Sequence, residues 1–547
     1  MSRATGEPLL AGVPGLRRTA GEAVSAVLEA AFSLLPEPLR STAPLYVLCD
    51  DYSVFAARRL VERCHDRERR LRPSDSVRPE TSELVRPYLT AAGHRGNCYL
   101  LAGVPAQSVL RLAATADHPA AVICEPAVLT GDDPLAPGSL AVAAVWGAGS
   151  PPALPRTPSP PPPRCSPLCP RPKGSGPMRD DIVISGIGLL TAFGRGTGAY
   201  WRGLVEGRSA LAPARRFAAD CYRGEAVGEI SGFPAGGPAR KQAYTLAAAE
   251  DALRAAGLGA LPDRSLVVLV GQSPLRGDGG LREEQDEFMG PVPAGVLEGG
   301  HSVHITQACA STVFAISLGR DALRSGAATT VVVAGGTALN RYEYASMAVV
   351  RAIDRTAARP FDTGRAGISL GEGGGAIVLE HGSTARARGL APDTVVAGAA
   401  CRVSAGKAVA SDADVVAGCL RDALDDAGVE HADYVHAHAT GTPQGDAAEL
   451  RAIEEVSGRT GTASLPVSSH KGAVGHLLHI SGVPAVAAAA MALRTGVVPP
   501  TPGLSAPEET RRVVLPRSAL PVPGMAAAVV NSFGFGGNNA SLVLRRS

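Results

Sequence analysis

Aromatic residues, lysine and net charge are all scarce in this sequence. Phe, Trp and Tyr make up 4% of its 547 residues, too few to build the stacking platforms that hold single-stranded nucleic acid. A formal net charge of +2 exerts no strong pull toward nucleic acid or an anionic membrane. No uninterrupted apolar run approaches the ~18 residues of a spanning helix. The N-terminus lacks the basic start, apolar stretch and small-residue cleavage site of a secretion signal. The expectation is a cytoplasmic protein with reduced thiols, its ten cysteines scattered without regular spacing. Lysine occurs only as Lys173, Lys241, Lys407 and Lys471, against many arginines. Since Arg cannot replace a compact ammonium, each of these positions invites attention.

Proline, by contrast, is concentrated. Residues 151–177 hold twelve prolines in twenty-seven residues, a composition that cannot pack as helix or sheet and reads as a semi-rigid spacer. Cys165 and Cys169 fall inside it without a partner pair elsewhere. The chain divides accordingly into residues 1–150, a linker at 151–177, and residues 178–547 with halves at about 178–385 and 386–547. Beyond the linker, apolar strands alternate with helices: DIVISGIGLL, a helix at 240–256, SLVVLVG, HITQACAS running into a helix, TTVVVAGG and GGGAIVLE. The rhythm returns after residue 386, with a helix at 413–427, ADYVHAHAT, LPVSS, an Ala-rich helix at 483–494 and two closing strands. This predicts an α/β protein with buried mixed sheets covered by helices.

Residues 1–150 carry a fainter copy of that rhythm. RTAGEAVSAVLEAAF followed by PLYVLCD parallels RKQAYTLAAAEDALRAA followed by SLVVLVG, and an ungapped alignment of the next segment puts Cys98 opposite Cys309. The copy would be degenerate, since no matching histidines follow Cys98. Such a copy would serve docking or act as a pseudo-subunit rather than catalyse; an unrelated interaction module and an upstream reading frame fused by chance are the other readings of this region.

Cys309 stands where an apolar strand meets a helix. Such a turn exposes the side chain, and the helix N-terminus favours a thiolate, as a nucleophile attacking a thioester requires. His438 ends a second strand, and His476 follows Lys471 by five residues. HLLH (His476 to His479) also reads as two imidazoles on one helical face, though a metal site would need a third ligand. NSFGFGGNNA is a glycine-rich turn between strands. No helix or Walker lysine follows it, which argues against a phosphate loop.

Taken together and in order, these segments resemble the β-ketoacyl-acyl-carrier-protein synthases of the type I/II class, with their thiolase-like layered fold of two similar halves. TQACAS resembles the nucleophile motif, HATGTPQGDAAE the first histidine motif, SSHKGAVGHLLHISG the lysine–histidine motif and NSFGFGGNNASLVL the closing one. The resemblance covers residues 178–547. It implies an acyltransferase that condenses an acyl thioester with malonyl-carrier, with loss of carbon dioxide, to give a 3-oxoacyl thioester. Cys309 would be the nucleophile; His438 and His476 would hydrogen-bond the malonyl thioester carbonyl. The N–H groups of Cys309 and Phe533 would form the oxyanion hole, with Phe533 also a gate. Lys471, with Glu372 as its charge partner, would order the histidines. The resemblance implies no metal and no bound cofactor, the substrates riding on the phosphopantetheine of an acyl carrier protein. It also implies a homodimer or a heterodimer with a ketosynthase-like subunit.

The departures from the family pattern point to a specialised enzyme, of polyketide or polyene rather than housekeeping fatty acid synthesis. The stretch from 271 to 301 is short, so the family's helical insert, with its share of dimer interface and acyl pocket, is missing there. The segment after Ala400 is compact, Ala439 replaces a glycine, HISG replaces Gly-Ala-Ala-Gly, and Ala366 and Ile368 occupy a usual Asp-Gly-Phe region. A degradative thiolase would need a second cysteine near the closing glycine turn. A non-catalytic partner resembling a chain-length factor would have lost the nucleophile that Cys309 retains.

Overall fold

The computed structural model describes residues 9–12, 17, 19–66, 68–77, 80–115, 118–129, 138–146, 180–233, 240–272, 290–403, 412–460 and 464–547. The proline-rich segment, with Cys165, Cys169 and Lys173, lies outside the described residues, as does Lys407.

The main elements follow in chain order. First come β1 (Leu9–Gly12), α1 (Ala20–Ser33), β2 (Leu45–Leu48), α2 (Asp50–His65), β3 (Cys98–Ala102), α3 (Ala106–Thr115), β4 (Ala121–Leu129) and β5 (Gly138–Trp146). The next set is β6 (Ile182–Thr191), α4 (Arg240–Ala255), β7 (Ser265–Val270), β8 (His301–Ile305), α5 (Ser311–Arg324), β9 (Thr330–Thr337), α6 (Arg341–Val349) and β10 (Gly373–His381). The last is β11 (Thr394–Val403), α7 (Ala413–Ala427), β12 (Tyr434–His436), α8 (Pro443–Thr460), β13 (Leu465–Ser468), α9 (Gly482–Thr495), β14 (Ala527–Gly534) and β15 (Asn538–Arg546).

Each set builds a five-stranded layer of the same topology. In the second, β8, β7 and β9 run parallel, and β10 and β6 continue antiparallel, in the order β8-β7-β9-β10-β6. The third repeats it as β13-β12-β14-β15-β11. Residues 9–146 repeat it once more as β3-β2-β4-β5-β1. The second and third layers touch where Val395 pairs with Val183. The first and second join through β3 and β8, which pair antiparallel with His304 opposite Ala102 and Ile305 opposite Leu101. These two are the equivalent edge strands of their layers, so the join has the character of a local twofold axis.

Local chemistry explains the elements. β9, TVVVAGGT, is buried along its whole length, as expected of a parallel strand covered on both faces. Helix α4 presents Ala248, Ala249 and Ala252 to the sheet. It lies so close that a Cβ at Gly374 would sit 2.0 Å from the Tyr244 carbonyl oxygen. Only glycine permits that approach. Thr19 caps α1 through the Glu22 N–H, and Asp412 caps α7, which stops at left-handed Gly428. Leu478–Thr495 is apolar enough to cross a membrane by composition, yet most of it is buried inside the fold. There it packs centrally through Val483, Val486 and Leu493; each buried aliphatic of this kind contributes roughly 1.5–3 kcal/mol.

The topology revises one alignment. β3 and β8 correspond in register, since Cys98 faces Leu45 as His301 faces Leu266. Cys98 therefore matches His301, at the start of its strand, and not Cys309, which lies in the turn beyond the strand's end. The ungapped alignment failed because the connection from strand to helix and onward is shorter in the first copy.

Candidate active site

Cys309 enters at the end of β8. Ala308 takes φ +46°, a left-handed conformation that costs a non-glycine residue on the order of 1–3 kcal/mol and collects at functional sites. Residues 308–310 form one tight turn before α5 begins. The strain is held by local bonds: the Gln307 N–H donates to Ser311 Oγ (2.8 Å), and Ser311 Oγ donates to the Ala308 carbonyl (2.7 Å). The closing loop presses on the same turn. Ser532 Oγ donates to the Cys309 carbonyl (2.9 Å), and a Cβ at Gly534 would lie 2.9 Å from the Cys309 nitrogen.

Burial opposes the thiolate that the helix N-terminus favours. Burial pushes Cys309 up to about 12, Glu80 adds to the rise, and the Lys471 ammonium opposes it. The side chain packs against an apolar cluster that includes Leu478, Ile368 and Tyr344. Desolvation outweighs the favourable charge.

The two histidines come from the third layer. β12 delivers His438, whose N–H donates to Glu449 Oε1 (2.9 Å) while the Ala439 N–H donates to Oε2 (2.7 Å). Asn531 Nδ2 donates to the same carboxylate (3.0 Å). Lys471 Nζ donates to the His438 carbonyl. The backbone of His476 is fixed by its N–H to Ser369 O (2.7 Å) and by the Gly371 N–H to its own carbonyl (3.0 Å). The rings of His438 and His476 lie 5.5 Å apart, edge to face, and Phe533 lies 5.5 Å from His438. Cys309, His438, His476 and Phe533 all line one cleft of about 360 Å³, with Met347 and Ile368 on its wall. Burial lowers both imidazoles well below the usual histidine range, and Lys471 lowers them further. Both effects favour the neutral imidazole.

Glu372 is not the partner of Lys471. Its carboxylate pairs with Arg216 and accepts from the Ile230 N–H (2.9 Å) and the Leu339 N–H (3.2 Å). It ties together loops beside β10, whereas the ammonium extends toward the His438 carbonyl. The carboxylates that act on Lys471 are Glu449 and Asp446. These stand one turn apart on α8, so both face the same loop. Asp446 accepts from the N–H groups of Phe361 (2.9 Å) and Thr440 (2.9 Å), and burial raises it to about 6. Both carboxylates sit within HATGTPQGDAAE, and their spacing on a helix after the loop was the available signal. His479 does not share a helical face with His476; it belongs to the separate turn Leu478–Ile480.

Residues from the first copy also reach this site, which the sequence did not indicate. Thr81 Oγ1 donates to the Thr306 carbonyl (2.5 Å), Gln307 Nε2 donates to the Cys98 carbonyl (2.8 Å), and Asn538 Nδ2 donates to Ser82 Oγ (3.1 Å). Glu80 has its carboxyl pushed up to about 8 by burial. Gly536 of the closing loop, at φ +75°, has Ser82 so near that a Cβ would lie 1.9 Å from its Oγ.

Comparison with known proteins agrees with this geometry. The family model "Beta-ketoacyl synthase, N-terminal domain" matches residues 298–385, and "Beta-ketoacyl synthase, C-terminal domain" matches residues 394–505. The chain is 31% identical over 408 residues to 3-oxoacyl-[acyl-carrier-protein] synthase 2 of Vibrio cholerae, covering 67% of this chain and 99% of that protein. Among solved structures, the ishigamide ketosynthase/chain length factor is similar at TM-score 0.59 and 28% identity, over 68% of this chain and all of that one. A β-ketoacyl synthase from Burkholderia phymatum is similar at TM-score 0.57 and 26% identity, over 67% of this chain and all of that one. A thiolase-like ketosynthase fold that holds a cysteine and two histidines around one cleft, with a relative matched along nearly its full length, makes this chain a member of the β-ketoacyl synthase family of acyltransferases.

Proposed function

We propose that residues 180–547 catalyse decarboxylative condensation, with Cys309 as nucleophile and an acyl carrier protein as the partner that brings substrates. In the first half-reaction Cys309 Sγ attacks the acyl thioester carbonyl, and the N–H groups of Cys309 and Phe533 receive the oxyanion. The tetrahedral intermediate expels the carrier thiolate, which takes the proton that the cysteine gave up. In the second, the malonyl thioester carbonyl accepts hydrogen bonds from His438 and His476. Its carboxylate leaves as carbon dioxide, and the electron pair becomes an enolate held by those donors. The enolate carbon attacks acyl-Cys309, the thiolate departs, and a 3-oxoacyl thioester remains on the carrier. Neutral imidazoles suit this step, because they donate to the developing oxygen without surrendering a full proton.

The observation that carries this reading is the shared cleft: thiol, two imidazoles and the Phe533 strand all face the same space. Full-length protein incubated with acyl- and malonyl-carrier pairs is expected to yield 3-oxoacyl-carrier and an acyl adduct on Cys309, read by mass. No adduct at Cys309 would end the proposal.

A catalytic role for this region is favoured over a chain-length-factor-like one because Cys309, His438, His476 and Lys471 are all present. The first copy fits the non-catalytic description better. It has no cysteine in the connection between β3 and α3, where the nucleophile would be, and it meets β8 through the equivalent strand β3. It also contains, between β2 and β3, the helical insert that the stretch from 271 to 301 is too short to hold. That insert packs α2 on α6, with Ala57, Leu60 and Val61 around Tyr342, and α6 carries Met347 of the cleft wall. Residues 9–146 thus act as a built-in half of a partner subunit, completing the acyl site.

A further inference from the structure

Behind His476 runs a buried line of polar side chains that the condensation scheme does not use. Tyr434 and His436 are two residues apart on β12, and Ser468 and His470 are likewise spaced at the end of β13. Strand side chains repeat every second residue, and His436 pairs with Ser468 across these parallel strands. The four therefore share one face. Tyr434 Oη lies 2.8 Å from Ser468 Oγ and 2.7 Å from His436 Nδ1. His436 Nε2 lies 2.9 Å from His470 Nδ1, with the two rings stacked at 5.2 Å. His470 Nε2 reaches Ser481 Oγ at 3.5 Å, the longest link, and Ser481 Oγ lies 3.0 Å from His476 Nδ1. Every member is buried.

Burial holds His436, His470 and His476 neutral. A neutral imidazole has one donor and one acceptor nitrogen, and each hydroxyl can do both. The contact between His436 and His470 therefore runs in one of two senses, and each hydroxyl, with one hydrogen and two lone pairs, can follow either. In one sense Ser468 donates to Tyr434, Tyr434 to His436 Nδ1, His436 Nε2 to His470 Nδ1, His470 Nε2 to Ser481, and Ser481 to His476 Nδ1. That leaves the hydrogen of His476 on Nε2, directed to the cleft. The opposite sense would turn a lone pair toward the forming enolate oxygen. We infer that Tyr434, His436, His470 and Ser481 are positioning residues that fix His476 in its Nε2–H tautomer, with Ser481 as the final link. This rests on His476 being the donor to the malonyl thioester carbonyl. A partner on the far nitrogen of a functional imidazole commonly sets its tautomer, and its loss costs about 10–100-fold where it has been measured at metal sites.

The test uses full-length protein carrying Ser481→Ala or Ser481→Thr, with nitrogen-15 histidine and the His476 signal assigned through His476→Gln. The unaltered protein is expected to show His476 as the neutral Nε2–H form. In the Ser481→Ala protein that signature shifts toward a mixture, and malonyl-carrier decarboxylation falls by about tenfold or more. Acyl transfer to Cys309 stays within about threefold, since it relies on the oxyanion N–H groups. Ser481→Thr, which keeps the hydroxyl, restores both signature and rate. An Nδ1–H form in the unaltered protein would overturn the inference. So would unchanged decarboxylation after Ser481→Ala, or an equal fall in both half-reactions that threonine does not restore. If the unaltered protein transfers acyl groups but never decarboxylates, the functional reading fails, and the tautomer signal still decides the relay.

Discussion

Two copies of one sheet topology meet edge to edge here, and they have been put to different uses. In the copy around β8 the turn after the edge strand carries a strained Ala308, a cysteine and the pressure of the closing loop. In the copy around β3 the connection to the helix, residues 103–105, holds no cysteine, and a long connection joins β2 to β3. One copy carries the cysteine-bearing turn, whereas the other carries helices between β2 and β3 and no cysteine in its turn. The lesson is that topology persists while chemistry depends on a few side chains. A cysteine near the right strand, Cys98, is no guide to reactivity when it is wholly buried at the strand's start.

The largest expected contrast between the copies is chemical. Cys309→Ala should lower condensation by at least about a thousandfold, and an electrophilic acyl-site label should land on Cys309 and not on Cys98. Equal labelling of the two thiols, read by peptide mass, would erase the distinction. Because burial raises the Cys309 thiol to about 12, its thiolate fraction grows about tenfold for each pH unit below that value. Alkylation at Cys309 should therefore quicken by roughly a hundredfold from pH 7 to pH 9. A rate flat across that range would mean that the thiolate is already formed. Glycines at matching stresses offer a subtler comparison. Gly536→Ala meets both a left-handed φ and Ser82, so a loss of several kcal/mol in stability and a fall in acyl transfer are expected. Gly93→Ala in the first copy meets the backbone cost alone, with open space around it, for about 1–2 kcal/mol. Denaturant titration that ranked them the other way would remove Ser82 from the site. Smallest of all, Cys98→Ala should cost about 1–2 kcal/mol of packing and leave turnover within about twofold.

Much of this was legible in the sequence, for identifiable reasons. Strands such as TVVVAGGT and the helix over residues 413–427 announce themselves by apolar runs and spacing, and the helix at Ala413–Ala427 is where the pattern puts it. Cys309, His438 and His476 were found through their motifs, and they converge on one cleft. What was not legible depended on direction in space. Glu372 lies in a segment that resembles the family's pattern, yet nothing in its neighbours says that it meets Arg216 rather than Lys471. The thiolate expectation counted the helix end and could not count the apolar wall of Leu478, Ile368 and Tyr344. The offset between Cys98 and Cys309 came from a loop-length difference, to which an ungapped alignment is blind. Thr81 and Ser82 were invisible because their partners are more than two hundred residues away.

The antiparallel join between β3 and β8 has a consequence for how this molecule is assembled. Two separate polypeptides would find each other at a rate set by their abundance, and dilution would part them. Here both edges belong to one covalent chain. Pairing becomes a first-order event at an effective concentration fixed by the tether, so the stoichiometry of the two units is one to one in every molecule made.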